Sequence, residues 1–306
     1  MAYPTLSIII VNYNTDHLLQ ECLESIKTNI KIPYEIFVVD NHSSDDSWLV
    51  AKNFPNCTLI RNKENIGFCA ANNQILKTIK SKFILLLNPD TRLTYEAIDK
   101  MVSYIKINHG VGVIGPKVLY PNGNFQDTAF FFPNIWIFLK DILFLNKLFK
   151  VFGKMSSKFL KQDMPQKVDA VSGCCLLFKK DVYDRIGGLD ESLFFMDDID
   201  LCRRIKNYDW QVVYFPQSII YHHGGMSSGG NRYAPAYFGR ISKIKYFYKH
   251  HTKKEIFLVK TLIFLEVIFR IPIDYLQYLL NKNIESKTRL KAYFDVLKFI
   301  FKKFKN

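Results

Sequence analysis

Three aspartates crowd into four residues of "FFMDDIDLCRR": Asp197, Asp198 and Asp200, directly after the aromatic pair Phe194-Phe195. Like charges at close range and partial burial both disfavour ionisation, which lifts a carboxyl towards the pKa of a useful general base. One of the three is accounted for as an acid in the first turn of a helix, where the macrodipole favours it. Asp90 sits in "NPDT", at the end of the apolar run Phe83 to Leu87. Alone it reads as a turn residue after Pro89. Asp40 ends "YEIFVVD", where it can cap the next helix or accept a hydrogen bond from a base or a ribose. With Asp40 and Asp90 on one rim, Asp90 becomes a candidate ligand for a divalent cation that neutralises a diphosphate. His222 and His223 precede Gly224-Gly225, and a strand-end imidazole beside a glycine turn reaches a metal or a phosphate. Arg232 and Arg240 stay open as further phosphate ligands.

Elements of two kinds must carry these groups. Leu6 to Val11, "YEIFVVD", "CTLIRN" and "KFILLL" are short apolar runs that read as buried strands. Between them lie helical patterns: "DHLLQECLESIKTNI", with Asp16 as N-cap and Leu18, Leu19, Cys22, Leu23 and Ile26 on one face; a helix capped by Ser44 or Asp45; "NIGFCAANNQILKTI"; and "YEAIDKMVSYIKINH". Strands apolar on both faces and separated by helices predict a mostly parallel sheet covered on each side, with ligands beyond the strands' carboxyl ends. Asn12, Asn65, Asp40 and Asp90 then share one edge. "GVGVIG" (Gly110 to Gly115) matches a dinucleotide fingerprint only as a string, because it follows a helix and leads into a strand.

The chain carries a formal net charge of +14. Fifteen lysines and arginines against five acids lie between Ile241 and Asn306, so the excess is one basic surface, unlike a nucleic-acid groove spread over the molecule. The six cysteines show no C-x-x-C pair and argue against a zinc site or a disulfide framework. The N-terminus lacks a basic n-region and a long apolar run, predicting a cytoplasmic chain. In the tail, Lys260, Glu266, Arg270 and Asp274 interrupt "EIFLVKTLIFLEVIFRIPIDYLQYLL", which predicts a helix lying in the lipid interface rather than crossing it. The alternative is a basic amphipathic helix packed on the domain. A long aromatic, basic insert runs from Thr128 to Gln162.

In their order, "SIIIVNYN", "IFVVDNHSSDDS", "NKENIGFCAANN", "FILLLNPDT", "VDAVSGCCLLFKKDVYDRIGGLDE", "FFMDDIDLCRR" and "IIYHHGGMSS" resemble the family 2 inverting glycosyltransferases, in the rhamnosyltransferase-like branch where Asn-Pro-Asp stands for Asp-x-Asp. The resemblance covers most of residues 5 to 230. It implies an α/β fold of the GT-A type, a Rossmann-like nucleotide-binding sheet; the basic helical extension that follows is read as membrane-associating from its own charge and apolar runs. It implies that Val11, Asn12, Tyr13 and Asn14 lie along the nucleotide, that Asp40 holds the base, and that Asn65, Gly67 and Asn72 line the nucleotide-sugar pocket. Asn88 stands in place of the first acid, Asp90 and His222 hold Mg²⁺ or Mn²⁺, and Gly187, Gly188 and Asp190 shape the acceptor side. Asp198 matches the base, with Asp197 where the family usually has glutamate.

The implied domains are a catalytic domain over 1–230, with a nucleotide-sugar half at 1–120, the insert at 128–165 and an acceptor half at 166–230, and a helical region over 231–306. The implied reaction moves a sugar, with rhamnose from its deoxythymidine diphosphate favoured, to a hydroxyl of a lipid-linked or polysaccharide acceptor at the inner face of the cell membrane. Two other readings stand beside it: a non-catalytic sugar-nucleotide-binding relative, against which the intact acid cluster speaks, and a basic nucleic-acid binder, which lacks interleaved aromatics.

Overall fold

The computed structural model describes residues 4–15, 17–142, 160, 163–224 and 232–302. The chain divides into two compact units. One comprises Met1–Phe132, Gly153–Glu191 and Asp197–Gly229; the other Pro133–Phe152, Ser192–Met196 and Gly230–Asn306.

The first unit is built on strands β1 (Leu6–Asn12), β2 (Tyr34–Asp40), β3 (Cys57–Arg61), β4 (Phe83–Leu87), β5 (Thr91–Leu93), β6 (Val111–Leu119), β7 (Phe125–Gln126), β8 (Ala129–Phe130), β9 (Gln166–Val168), β10 (Ala170–Val171), β11 (Cys175–Lys179) and β12 (Gln211–His222). The main sheet runs β3-β2-β1-β4-β11-β6-β12-β5, with β7 added beside β6 and β9 beside β12; β8 and β10 form a separate pair. Helices α1 (His17–Asn29), α2 (Ser47–Asn53), α3 (Phe68–Leu76), α4 (Ala97–Ile107), α6 (Lys180–Ile186) and α7 (Asp197–Lys206) belong to this unit.

Strand periodicity explains the layering. Leu6, Ile8 and Ile10 of β1, with Leu85 and Leu87 of β4, enter one core cluster with α1 and α4; Ile9 and Val11, with Ile84 and Leu86, enter the other with α3 and α7. Alternate side chains of a strand point to opposite faces, so a run apolar at every position supplies both cores. Each fully buried side chain of this kind contributes about 1.5–3 kcal/mol.

Two departures from an all-parallel sheet bear on the site. β1 pairs in parallel with β2 and β4, whereas β11 is antiparallel to both β4 and β6. The start of β11 therefore meets the end of β4, with Cys175 opposite Leu87. The short strand β5 follows the Asn88-Pro89-Asp90 turn and pairs antiparallel with the end of β12, Thr91 opposite His222. A three-residue strand set by a partner so distant in sequence has no periodicity of its own to read. "GVGVIG" lies at the start of β6, as the sequence context required. The N-cap of α2 is Asp46, without a side-chain capping bond, in place of the expected Ser44 or Asp45; Asp45 Oδ1 accepts the Ser47 amide at 3.2 Å from one residue earlier, and Asp16 lies outside the described residues.

In the second unit, α5 (Ile135–Ile142) belongs to the aromatic insert, most of whose remainder lies outside the described residues. Helices α8 (Tyr233–His250), α9 (Lys253–Asn281) and α10 (Ile284–Phe301) complete the unit. Thr252 and Glu255 form a reciprocal capping box at the start of α9. Val259, Ile263, Val267 and Asp274 face inward, and Glu266 bridges Arg240 and Arg270 while Asp274 pairs with Arg289. Its outward face is apolar, including Phe269 at 67% exposure, Leu276 at 56% and Leu280 at 72%. Among the described residues no helix is long and apolar enough to cross a membrane. Arg232 and Arg240, open from sequence as phosphate ligands, pair instead with Glu285 and Glu266.

Candidate active site

The registers carry the polar groups to one edge. Asn12 lies opposite Asp40, and Asp40 opposite Arg61, at the carboxyl ends of three parallel strands. Asn88 follows β4 at that edge, and the β12 terminus brings His222 beside Thr91.

On the β1-β2-β3 side, Asp40 is fully buried. It accepts from Asn12 Nδ2 at 2.9 Å and from Arg61 Nε at 3.3 Å, and Arg61 lies over the Trp48 ring, 3.8 Å from its centroid. Asn12 also donates to Ser43 and Ser47, so its amide fastens two strand ends. Asn14, at φ 51°, accepts the Ser44 amide at 2.8 Å. Asn65 Oδ1 accepts from Asn41 at 2.8 Å and from the Gly67 amide at 3.0 Å, which shapes the turn into α3; Gly67, at φ 87°, takes a conformation that suits glycine. Asn72 is buried and donates to Phe68 O of its own helix. Val11 is buried, and Tyr13 is partly exposed beyond the strand end.

At the centre, the Asn88-Pro89-Asp90 turn is tied down on all sides. Thr91 Oγ1 donates to Asn88 O at 2.7 Å, and the Asn88 amide donates to Cys174 O at 2.9 Å. Asp90 Oδ2 accepts the Gly224 amide at 3.1 Å, and the His223 amide donates to Asp90 O. Asp90 Oδ1 is buried without a hydrogen-bond donor among the described residues, and lies 3.2 Å from His222 Nε2. Burial alone would raise the Asp90 carboxyl, but His222 and the Gly224 amide outweigh it and hold the pKa below the usual value. His222 Nδ1 is 3.0 Å from Gln126 Oε1 and Asn88 Nδ2 is 3.3 Å from Nε2. With Nδ1–H donated to Gln126, Nε2 is the atom that faces the Asp90 oxygen: protonated it pairs with the carboxylate, and deprotonated it offers, with that oxygen, two ligands to a cation.

That arrangement fits a divalent cation. Two ligands on neighbouring positions of an octahedral ion lie about 3 Å apart, and such ions commonly take one or two protein ligands and fill the rest with substrate phosphate and water. Among the described residues no group of three or more histidine, cysteine or acidic side chains is gathered for a metal.

The acids of α7 face the same edge. Gly173 donates its amide to Asp198 Oδ2 at 2.9 Å, and the Ile199 amide donates to Oδ1 at 2.8 Å. Because Gly173 precedes Cys174, whose carbonyl holds Asn88, one turn fastens both acid sites. Cys174 records their proximity: burial, with the charges of Asp90 and Asp198 adding, pushes its thiol up to about 12. Burial raises Asp198 against the pull of the Gly173 and Ile199 amides, and burial followed by the Asp198 charge raises Asp197. Both keep a partly exposed surface, as groups that meet a substrate must. Asp200 is the structural member of the trio: it is fully buried and pairs with Arg204 at 2.8 Å, whose other nitrogens hold Ile186 O and Gly188 O.

The loop with Gly187, Gly188 and Asp190 is pinned by a residue that sequence reading missed. Asn73 Oδ1 accepts the Leu189 amide at 2.9 Å and its Nδ2 donates to Leu189 O at 2.8 Å. A Cβ on Gly188 would come 2.2 Å from Asn73 Oδ1, so a larger residue there would displace the Asn73 amide from Leu189. Gln126 and Gly173 were missed as well; the one available signal was the glycine of "VSGCC", just before β11.

A nucleotide-type α/β sheet with Asn-Pro-Asp at its carboxyl edge and a partly buried acid pair opening a neighbouring helix defines a glycosyltransferase of the GT-A fold. The family described as glycosyl transferase family 2 matches residues 7–187, and the chain belongs to that family. An uncharacterized protein, y4gI, from Sinorhizobium fredii is 27% identical over 235 residues, which are 74% of this chain and 25% of that protein. The N-acetylglucosaminyl-diphospho-decaprenol L-rhamnosyltransferase of Mycobacterium tuberculosis is 24% identical over 246 residues, 73% of this chain and 78% of that enzyme. Among solved structures, the mannosyltransferase PcManGT from Pyrobaculum calidifontis, in complex with GDP-Man and Mn²⁺, superposes with a TM-score of 0.57 at 14% identity, over 98% of this chain and 87% of that one. The last likeness concerns the fold alone.

Proposed function

We propose that this glycosyltransferase moves a sugar, rhamnose in the favoured case, from a nucleoside diphosphate to a hydroxyl of a lipid-linked or polysaccharide acceptor with inversion at the anomeric carbon. The observation that carries the reading is the turn Gly173-Cys174, which holds Asp198 by an amide and Asn88 by a carbonyl. That shared turn supports a reading in which the raised-pKa carboxyl and the cation-holding Asp90 turn serve one rim.

In this reading Asp198 takes the acceptor's hydroxyl proton as that oxygen attacks the anomeric carbon. The new glycosidic bond forms as the bond from that carbon to the diphosphate oxygen breaks, and the electron pair leaves with the diphosphate. A single displacement through an oxocarbenium-like state inverts the centre. Asp90 and His222 would hold Mg²⁺ or Mn²⁺, which supplies Lewis-acid neutralisation of the diphosphate charge. Asp40 and the Val11 to Asn14 segment position the nucleoside, the turn at Asn65 and Gly67 borders the sugar, and Asp190 with the Gly187-Gly188 turn faces the acceptor. Dinucleotide chemistry has no support, since "GVGVIG" enters a strand.

The basic tail and the apolar outer face of α9 support an anionic membrane surface as partner, at the inner face of the cell membrane. Nucleotide sugars screened by thermal shift with and without Mn²⁺ identify the donor, and transfer to an acceptor extract is then compared between the wild type and Asp198→Asn. The reading predicts a shift by one nucleotide sugar and transfer lost in the variant; full transfer by Asp198→Asn would overturn the base assignment.

A further inference from the structure

Asp40, the acid expected to meet a nucleoside, is closed off from one. Its side chain is 0% exposed, and both oxygens are engaged: Oδ1 accepts from Asn12, while Oδ2 accepts from Arg61 and from the Ser43 amide at 3.4 Å. The Asn62 amide donates to Asp40 O at 2.9 Å, and Asn41 Oδ1 accepts from Asn62 and from the Ile66 amide, so the carboxamides around the strand ends are spent on one another. A group that reads a base at this edge must reach out of that packed layer.

Arg61 does so. It ends β3, opposite Asp40 in the register, and its side chain is 45% exposed. Asp40 holds Nε and the guanidinium lies over the ring of Trp48, a residue of α2, so two contacts on different sides fix its orientation. No described residue accepts a hydrogen bond from Nη1 or Nη2. A solvated surface arginine needs neither contact, whereas a fork held by its Nε edge and its face presents its remaining donors in one direction.

Place in the sheet decides between a phosphate and a base as the ligand. β3 lies three strands from β4 in the order β3-β2-β1-β4, about 14 Å at the usual strand spacing. That is farther than a diphosphate spans, so a diphosphate at the Asp90 turn brings its nucleoside, and not its phosphates, to Arg61. Donors suit a base edge made of acceptors: O4 of thymine or uracil, or O6 with N7 of guanine. Adenine and cytosine turn an amino group to the same place, donor against donor.

We propose, on the reading of this edge as a nucleotide-sugar site, that Arg61, braced by Trp48 and Asp40, selects a donor whose base carries a carbonyl oxygen there, with Asp40 acting through it.

Calorimetry on the full chain, with Mn²⁺ in excess, compares the diphosphates of deoxythymidine, uridine, guanosine, cytidine and adenosine. The deoxythymidine, uridine or guanosine form is expected to bind about tenfold tighter than the cytidine and adenosine forms. Arg61→Gln and Arg61→Lys should both erase that preference and leave adenosine diphosphate within about twofold of wild type. Arg61→Lys keeps a cation beside Asp40 but lacks the fork, so a wild-type preference in it would reduce Arg61 to a counter-ion and overturn the proposal. So would an equal loss for every probe in both variants, which would mean that the edge itself had given way; thermal unfolding reports the fold of each. Binding by the wild type without preference would overturn the proposal and leave the nucleotide site standing, whereas no binding of any probe would remove both.

Discussion

The Gly173 amide points at Asp198 Oδ2 from 2.9 Å, and a Cβ on Gly173 would stand 3.4 Å from Asp198 Cβ. The latter distance is an ordinary van der Waals contact, so what the position supplies is the hydrogen bond. Gly173→Ala keeps the amide and should leave kcat within about twofold of wild type, whereas Gly173→Pro removes the donor, and small displacements of a reacting group are costly to rate. The expected result in Gly173→Pro is a fall in kcat of about tenfold with donor KM little changed. Asp198→Asn should cost about 10²–10⁴-fold while sparing donor binding. Steady-state kinetics with the donor found by screening measure all three, and an unchanged kcat in Gly173→Pro would separate the turn from the base.

Burial raises both Asp197 and Asp198, and the Asp198 charge raises Asp197 further, so a base drawn from this pair is protonated at a pH where an ordinary aspartate is not. As pH falls, the acid limb of kcat/KM should therefore appear above the ordinary aspartate range. Burial sets the Asp198 shift, so with Asp198 as the base the limb should stay raised in Asp197→Asn. Stability moves with pH as well. A carboxyl raised in the folded state holds a proton that the unfolded chain has released, so folding stability declines as pH rises from about 4, the unfolded value, to about 8, where burial and the Asp198 charge put Asp197. The stability of Asp197→Asn relative to wild type should grow across that window and level off above it, which urea unfolding at several pH values measures.

Asn88 Nδ2 faces His222 Nε2 at 3.3 Å, with the orphaned Asp90 oxygen close by. Asn88→Asp adds a carboxylate at that point, and cation affinity rises with the charge of the ligand set. Mn²⁺ titration followed by electron paramagnetic resonance, without nucleotide, should show about tenfold tighter binding in this variant and weaker binding in Asp90→Asn and His222→Ala. The same binding in all four proteins would place the cation elsewhere.

Much of this geography was legible because it is local. β1, β2 and β4 are apolar on both faces and end in polar residues, so their class and their shared edge follow from strand periodicity and the parallel-sheet rule. One of the three acids was expected as a first-turn helix acid, and the fold shows which: Asp200, paired with Arg204 four residues on, leaving Asp197 and Asp198. Contacts between distant segments were not legible. Asn73 grips Leu189 across 116 positions, and β5 exists because β12 lies beside it. Arg232 and Arg240 looked available in a basic tail until the helices paired them with Glu285 and Glu266. A residue type and its spacing state what a group can do, while its partner is decided by packing.

The helix α9 turns the usual arrangement of a surface helix outside in. Glu266, Arg270 and Asp274 are engaged by partners on its own and neighbouring helices, while Phe257, Phe269, Leu276 and Leu280 stand more than half exposed. Water opposes such an exposed face, and a bilayer interface accepts it, with the lysines of the tail meeting anionic headgroups. Phe269→Glu/Leu276→Glu removes apolar contact without touching the inner ion pairs. Burying each such side chain is worth about 1.5 kcal/mol or more, so loss of both should weaken binding to phosphatidylglycerol vesicles by about 100-fold. Cosedimentation at several salt concentrations, with circular dichroism to establish that the helices remain, measures the effect, and the lysine contribution should fade as salt rises. Equal cosedimentation of variant and wild type would mean that this face meets something other than lipid, and a shift from dimer to monomer in the variant would identify it as a second copy of the chain.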